Sequence, residues 1–355
     1  MGLFDSVLKD NESLFLDTLP LDIDFIPPIL EGRENEQQYV ATCIQPLFQK
    51  RNGKNLLIMG APGIGKTVAT KYVLSEVHKK TDDIHTIYLN CWKKDTPHKI
   101  ALEICDQIDF KFTHNRDTND LFKEIARILN KKSAVIVLDE VDKIADEQIF
   151  YHLLEEINRR TLILITNNEH WISTLDARVR SRLTPEILIF KPYTFEETNM
   201  ILKKRVEFAF APSVLDQRAF DKIVEKAFEA KDIRAGLYLL KEAGELAEQN
   251  AQRNISVNHA DKAIAKLRDF KLKSTTTLDA QEQIILDLIK ANSGATTKVM
   301  YELYQKKGGE QSYSNFHKKI KNLEQGKFIS LEERNEGSTK AMVIRYGMKT
   351  LQDFT

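Results

Sequence analysis

The chain has 355 residues, too many for one ordinary core and enough for two or three domains. Its 42% apolar and 29% charged residues are the balance of a soluble globular protein, and a formal net charge of zero excludes a uniformly basic nucleic-acid binder, so any such contact must come from local patches. Cys43, Cys91 and Cys105 show no CxxC and no paired histidine spacing, which excludes a disulfide or zinc framework and points to buried thiols in a reducing compartment; with no apolar run of membrane-spanning length and no visible signal peptide, a cytoplasmic protein is expected.

Residues 1–22 mix acidic and apolar positions around a weak helical signal and read as a leader lying on the body. Met1 to Ser6 also satisfies the short myristoylation pattern, for which a plain leader is the alternative. In the stretch 23–34, IDFIPPILEGRE, Pro27 and Pro28 stop any helix, and an extended segment ends in Gly32, Arg33 and Glu34 before a helical run over 35–49. An extended apolar segment carrying Ile26 and Pro27 upstream of a phosphate loop can cover an adenine ring; a surface proline loop fits the same residues.

The phosphate loop is GAPGIGKT at 60–67, between an apolar run over 56–59 and helical periodicity over 68–77. Gly60, Gly63 and Gly65 let the backbone turn with N–H groups inward, and the helix N-terminus adds the positive end of its dipole. Ala61, Pro62, Ile64 and Val68 complete the candidate site. Lys66 would reach the β- and γ-phosphates, and the Thr67 hydroxyl would hold Mg²⁺.

A short strand is expected over 84–89, IHTIYL. The stretch 92–118 that follows is basic, with Lys93, Lys94, His98, Lys99, Lys111, His114 and Arg116, and has helical spacing over 97–107. It reads either as a solvated face or as a DNA contact made by Lys93, Lys94, Lys99 and Lys111. AVIVLDEVD at 134–142 is a continuous apolar strand ending in acids, typical of a parallel sheet that binds ligands at its carboxyl edge. Asp139 can join the Mg²⁺ shell there, and Glu140 can orient and deprotonate an attacking water. A helix over 147–158 precedes a second buried strand, 161–166, whose tip carries Asn167 and Asn168; an amide at that place can bond a γ-phosphate or its water, and is also an ordinary turn residue. Arg178, Arg180 and Arg182 crowd 175–183, as a basic surface helix or as an arginine finger offered to a neighbouring subunit.

From 193 to about 268 the pattern is helical throughout, over 195–210, 216–230, 232–252 and 256–270. Arg234, in a first helical turn, opposes the helix dipole and hints at an external anion. Residues 272–277 look like a linker. The last segment reads as helices over 279–291, 296–307 and 312–325, then strands over 328–332 and 341–346, the layout of a winged helix. Its third helix presents Tyr313, Ser314, Asn315, His317, Lys318, Lys319 and Lys321, with Phe316, Ile320 and Leu323 for the core; Lys340 is counted with the candidate DNA contacts. Glu332, Glu333 and Glu336 in the hairpin are awkward beside a phosphate backbone. Such a domain binds DNA or protein.

This order of parts resembles the AAA+ ATPases, and within them the archaeal Orc1/Cdc6 replication initiators. The resemblance covers almost the whole chain. GAPGIGKT matches Walker A, VLDEVD matches Walker B at Asp139 and Glu140, TNN matches sensor 1 at Asn167, SRL matches the arginine-finger box at Arg182, and DIRAGLYLL resembles the sensor 2 helix with Arg234. The segment from Phe25 to Arg33 would frame the adenine, and the lysine-rich stretch after NCW falls where the family carries its initiator-specific motif. Lys231 stands where a glycine is common in the family. The resemblance implies an α/β P-loop AAA+ domain over 23–192, a helical lid over 193–271 and a winged-helix DNA-binding domain over 278–355. It implies ATP or ADP with Mg²⁺ and slow turnover as a nucleotide switch. Implied partners are double-stranded origin DNA, a replicative helicase, and paralogues or further copies on DNA, with no membrane. A transcription regulator of the same family, and a signalling ATPase with a protein-binding winged helix, are the alternatives; a clamp-loader subunit fits the ATPase but not the C-terminus.

Overall fold

The structure is a computed structural model that describes residues 13–28, 30–275, 280–309, 311–325, 328–336 and 339–346. Contacts divide the chain into one unit ending at Ile264 and another starting at Ala265.

The first unit is built on a parallel sheet of β1 (Leu56–Met59), β2 (Ile84–Asn90), β3 (Ser133–Asp139), β4 (Arg160–Thr166) and β5 (Glu186–Ile189), in the order β2-β3-β4-β1-β5. Alternation sorts its side chains to two faces. Leu57, Met59, Ile136, Leu138, Leu162 and Leu164 share a core with α3 (Pro97–Gln107), α4 (Thr118–Leu129), α5 (Gln148–Tyr151, continued by a π-helical turn to Glu156) and α7 (Ala177–Leu183). Leu56, Ile58, Val135, Val137, Ile163 and Ile165 pack against α1 (Glu34–Ile44) and α2 (Lys66–Lys80). Every β3 residue is buried, as a central strand covered by helices on both faces requires. α6 (Trp171–Thr174) is a single turn that seats Trp171 in the first of these cores.

The expected helix over 35–49 gives way at Ile44 to a 3-10 turn, Gln45–Gln49, because Pro46 cannot donate in an α-helix interior. Besides the single turn α6, two elements of this unit lie outside the sequence expectations. One is α4, capped by the Asp117 carboxylate on Asp120 N–H at 2.8 Å. The other is β5, a four-residue edge strand with Ile187 and Ile189 exposed.

The lid is α8 (Phe195–Ala209), α9 (Gln217–Ala230), α10 (Ile233–Gln249) and the first part of α11 (Val257–Thr275). Thr194 and Glu197 close a capping box on α8, and Asp216 and Asp232 cap α9 and α10. The leader docks on this lid. Leu16 N–H donates to Ala209 O at 2.8 Å, Ala211 N–H to Leu14 O at 3.0 Å, and the Glu248 carboxylate accepts from Ser13 Oγ and Leu14 N–H. The Phe15 ring sits 4.8 Å from that of Phe210 and over Gly244, where an added Cβ would stand 2.4 Å from it. Buried Arg205 donates to Pro20 O and Phe25 O, holding the chain as it leaves the lid.

The stretch expected as a linker is helical through Thr275; 276 and 277 lie outside the described residues. The second unit carries α12 (Ala280–Ala291), β6 (Ala295–Thr296), α13 (Thr297–Lys306), α14 (Tyr313–Gln325), β7 (Ile329–Glu336) and β8 (Thr339–Tyr346), with antiparallel sheet order β6-β8-β7. The hairpin strands run longer than expected, and β6 adds a third. Ile285, Ile289, Met300, Tyr304, Phe316, Ile320, Leu323 and Ile344 form its core.

Candidate nucleotide site and basic surfaces

Strand order builds the site. β4 lies between β1 and β3, with Met59 beside Thr166 and Asp139 beside Ile165, so the loops after all three strands leave at one level. The phosphate loop after β1, the acids after β3 and Asn167 after β4 therefore converge. Gly60, Gly63 and Gly65 all have positive φ, at 146°, 75° and 89°, as the turn requires. Ile64 points into the core, while Ala61 and Pro62 are exposed and Val68 is half-buried on α2.

Lys66 is buried, and its ammonium donates to Gly60 O at 2.8 Å, Ala61 O at 2.8 Å and Asn167 Oδ1 at 2.7 Å. Burial lowers it from 10.5 to about 8, against the pull of Asp139 and Glu140. The Asn167 amide also donates to both Glu140 carboxylate oxygens, at 3.2 and 3.3 Å, so one side chain joins the lysine to the acid. Glu140 holds φ at 56°, a left-handed conformation uncommon outside glycine. Thr67 Oγ1 donates to Asp139 Oδ2 at 2.6 Å, and Tyr88 Oη donates to the same oxygen at 2.7 Å. Burial, then the neighbouring Asp139 carboxylate, pushes the Tyr88 hydroxyl well above its ordinary value and keeps it a donor. Burial likewise pushes the Cys91 thiol up to about 12, which removes it as a nucleophile.

The lid meets the loop directly. Ile233 N–H donates to Gly63 O at 3.2 Å, and a Cβ on Gly63 would stand 1.9 Å from the Asp232 carboxylate. Arg234, whose opposition to the dipole hinted at an external anion, has an anion of its own chain beside it. Its guanidinium grips Asp232, its own helix cap, at 2.7 to 3.2 Å. Arg33 is also committed. Buried, it donates to Ile64 O and Lys191 O at 2.9 and 2.6 Å, pairs with Glu36, and stacks 3.9 Å from the Tyr193 ring, so it rivets the loop to the strand leaving the sheet. Ile26 is exposed and Pro27 half-buried on the extended segment beside it. Arg182 is half-exposed on α7, paired with Glu155 and 5.4 Å from the Tyr151 ring.

Of the insertion lysines, Lys94 pairs with Glu103, Lys99 with Asp95, and Lys111 with Asp106 and Asp109. Lys93 is exposed. Two aromatics stand out beside them, Trp92 at 68% exposed and Phe112 at 77%. In the second unit Tyr313, Ser314, Asn315, Lys318 and Lys321 are exposed, and His317 and Lys319 half-buried, on one helix; Lys340 lies in β8, its side chain outside the described residues.

Sequence reasoning missed Tyr88, Asp232 and Tyr193. Tyr88 reads as one more β-favouring residue of its strand, and its link to Asp139 follows from β2 pairing with β3. Asp232 signals itself as a helix cap but not as the neighbour of Gly63.

Two family patterns match: the AAA domain over residues 49–188 and the Cdc6 AAA+ ATPase-type lid domain over 199–265. The chain is 30% identical to the ORC1-type DNA replication protein of Desulfurococcus amylolyticus, over 79% of this chain and 77% of that one. It is 26% identical to ORC1-type DNA replication protein 2 of Methanothermobacter thermautotrophicus, over 98% and 96%. Among solved structures, the Aeropyrum pernix ORC1 protein in complex with DNA superposes with a TM-score of 0.74 at 25% identity, covering 95% of each chain. The ORC2 protein of the same organism, in ADPNP and ADP complexes, shares the fold with a TM-score of 0.65 at 20% identity over 96% of each.

Proposed function

Because the chain belongs to the ORC1-type DNA replication proteins, AAA+ ATPases with a Cdc6-type lid, we propose that it is an ATP-dependent initiator that recognises replication origins and helps recruit the replicative helicase. The observation that carries this reading is the convergence of Lys66, Thr67, Asp139, Glu140 and Asn167 at one sheet edge, with the lid cap Asp232 against Gly63.

The donors suit a nucleotide with Mg²⁺. Among the described residues no group of three or more His, Cys, Asp or Glu could hold a metal alone. The Thr67 hydroxyl and Asp139 carboxylate offer two hard oxygens, which suits a cation that takes its remaining ligands from phosphates and water. The bound cation would supply charge neutralisation between the phosphates. Gly60, Ala61, Pro62, Gly63, Ile64 and Gly65 cradle the phosphates through the backbone, and the Lys66 ammonium exchanges carbonyl partners for phosphate oxygens. Glu140, held by Asn167, orients the water. Arg234 rests in a half-exposed ion pair worth at most about 1 kcal/mol, a weak enough hold to be given up for a phosphate. With Arg182 on an exposed helix as a finger toward a neighbouring copy, turnover in an isolated chain is slow and nucleotide acts as a switch.

DNA is held at two places, through α14 and through the insertion at Lys93, Lys94, Lys99 and Lys111. Because three of those lysines are paired with carboxylates, the exposed Trp92 and Phe112 carry part of the contact. Two experiments test the reading. Lys66→Ala should abolish binding of a fluorescent ATP analogue, and undiminished binding would remove the site. Wild-type protein should prefer origin over scrambled DNA in a salt series, with ATP and ADP differing. Dispersed promoter occupancy in the genome would favour the transcription regulator, and absence of DNA affinity the protein-binding ATPase.

A further inference from the structure

We propose that Tyr88, clamped by Gln107, is a positioning residue for Asp139 and sets how tightly the site takes Mg²⁺ with its nucleotide. This rests on the reading of Asp139 and Thr67 as the cation's protein ligands.

Asp139 Oδ2 accepts from Thr67 Oγ1 at 2.6 Å and from Tyr88 Oη at 2.7 Å, while Oδ1 accepts from Glu140 N–H at 2.9 Å. The Thr67 hydroxyl has lone pairs that would be free for a cation while its proton stays on Oδ2. Tyr88 is the second side-chain donor on that oxygen and fixes the carboxylate's orientation from the other side, the outer-shell role that tunes a metal ligand.

Tyr88 is itself fixed from two other directions. It lies on β2, the edge of the sheet, so its outward N–H and C=O lack a neighbouring strand. The Gln107 amide takes the strand's place, accepting from Tyr88 N–H at 3.0 Å and donating to Tyr88 O at 2.8 Å. The Lys71 ammonium lies 4.3 Å over the ring. Gln107 is the last residue of α3, so two side chains separate the basic insertion from the carboxylate. A phenol needed only to fill space would not require its backbone clamped and its hydroxyl aimed at the acid.

The test uses the full chain and a fluorescent ATP analogue titrated with Mg²⁺ against an EDTA baseline. Tyr88→Phe keeps the ring, and should raise the Mg²⁺ concentration for half-maximal tightening about tenfold while leaving the EDTA affinity in place. Gln107→Ala should shift it the same way by less, and serves alone where Tyr88→Phe fails to give a cooperative melt. An unchanged Mg²⁺ midpoint in both variants, or equal weakening with and without Mg²⁺, would overturn the positioning role. Wild-type protein that binds nucleotide identically in Mg²⁺ and EDTA would overturn the reading of Thr67 and Asp139 as ligands, and Tyr88's role with it.

Discussion

Lys231 sits in the left-handed region, φ 52° and ψ 31°, as the residue that ends α9, and its side chain is exposed. That conformation costs a residue with a Cβ about 1–2 kcal/mol, which is why glycine suits the position. Lys231→Gly should therefore stabilise the protein by about 0.5–1 kcal/mol after its greater unfolded-state freedom is counted, read as a higher urea midpoint at unchanged slope. At this scale the site was legible wherever local sequence fixes the role. Lys66 and Thr67 follow glycines that can only make a turn, and Asp139 and Glu140 end a strand too apolar to be anything but central. The partners of Arg33 and Arg234 were not legible, because a guanidinium accepts any nearby oxygen and those oxygens arrive through the fold: Ile64 and Lys191 for one, Asp232 for the other.

At the level of elements, the N-terminus of α11 depends on protonation state. Ser256 N–H donates to His259 Nδ1 at 3.1 Å, so the ring must keep that nitrogen bare. Burial, then Lys262, lowers His259 from its ordinary 6.5. The unfolded chain then takes up the proton first, so the stabilisation is whole above pH 6.5 and declines as pH falls below it. His259→Gln keeps an acceptor without a titrating group, and should flatten that decline in melting temperature between neutral and mildly acidic buffer. Helices and central strands were readable from their periodicity. β5 was not, because a four-residue edge strand half open to water carries little pattern, and its place is set by pairing with β1. The 3-10 turn after α1 is signalled by Pro46, which interrupts the helical periodicity over 35–49.

For the molecule as a whole, the zero net charge makes DNA affinity a matter of placement, and α14 offers a basic face with Lys318 and Lys321 exposed. Changing Lys318 and Lys319 to Glu should weaken DNA binding and reduce the salt slope by about 2, while nucleotide binding stays at the wild-type level; an unchanged slope would exclude this helix from the phosphate contact. The chain's first described residues raise a question of timing. Ser13 is held by Glu248, 235 positions later. At about 5–20 residues per second of synthesis, the seat for Leu14, Phe15 and Leu21 comes into being on the order of ten to fifty seconds after they leave the ribosome. Throughout that interval three apolar side chains destined for the lid are open to chaperones and to other nascent chains. Completion of α10, more than any event near the leader itself, is what ends their exposure.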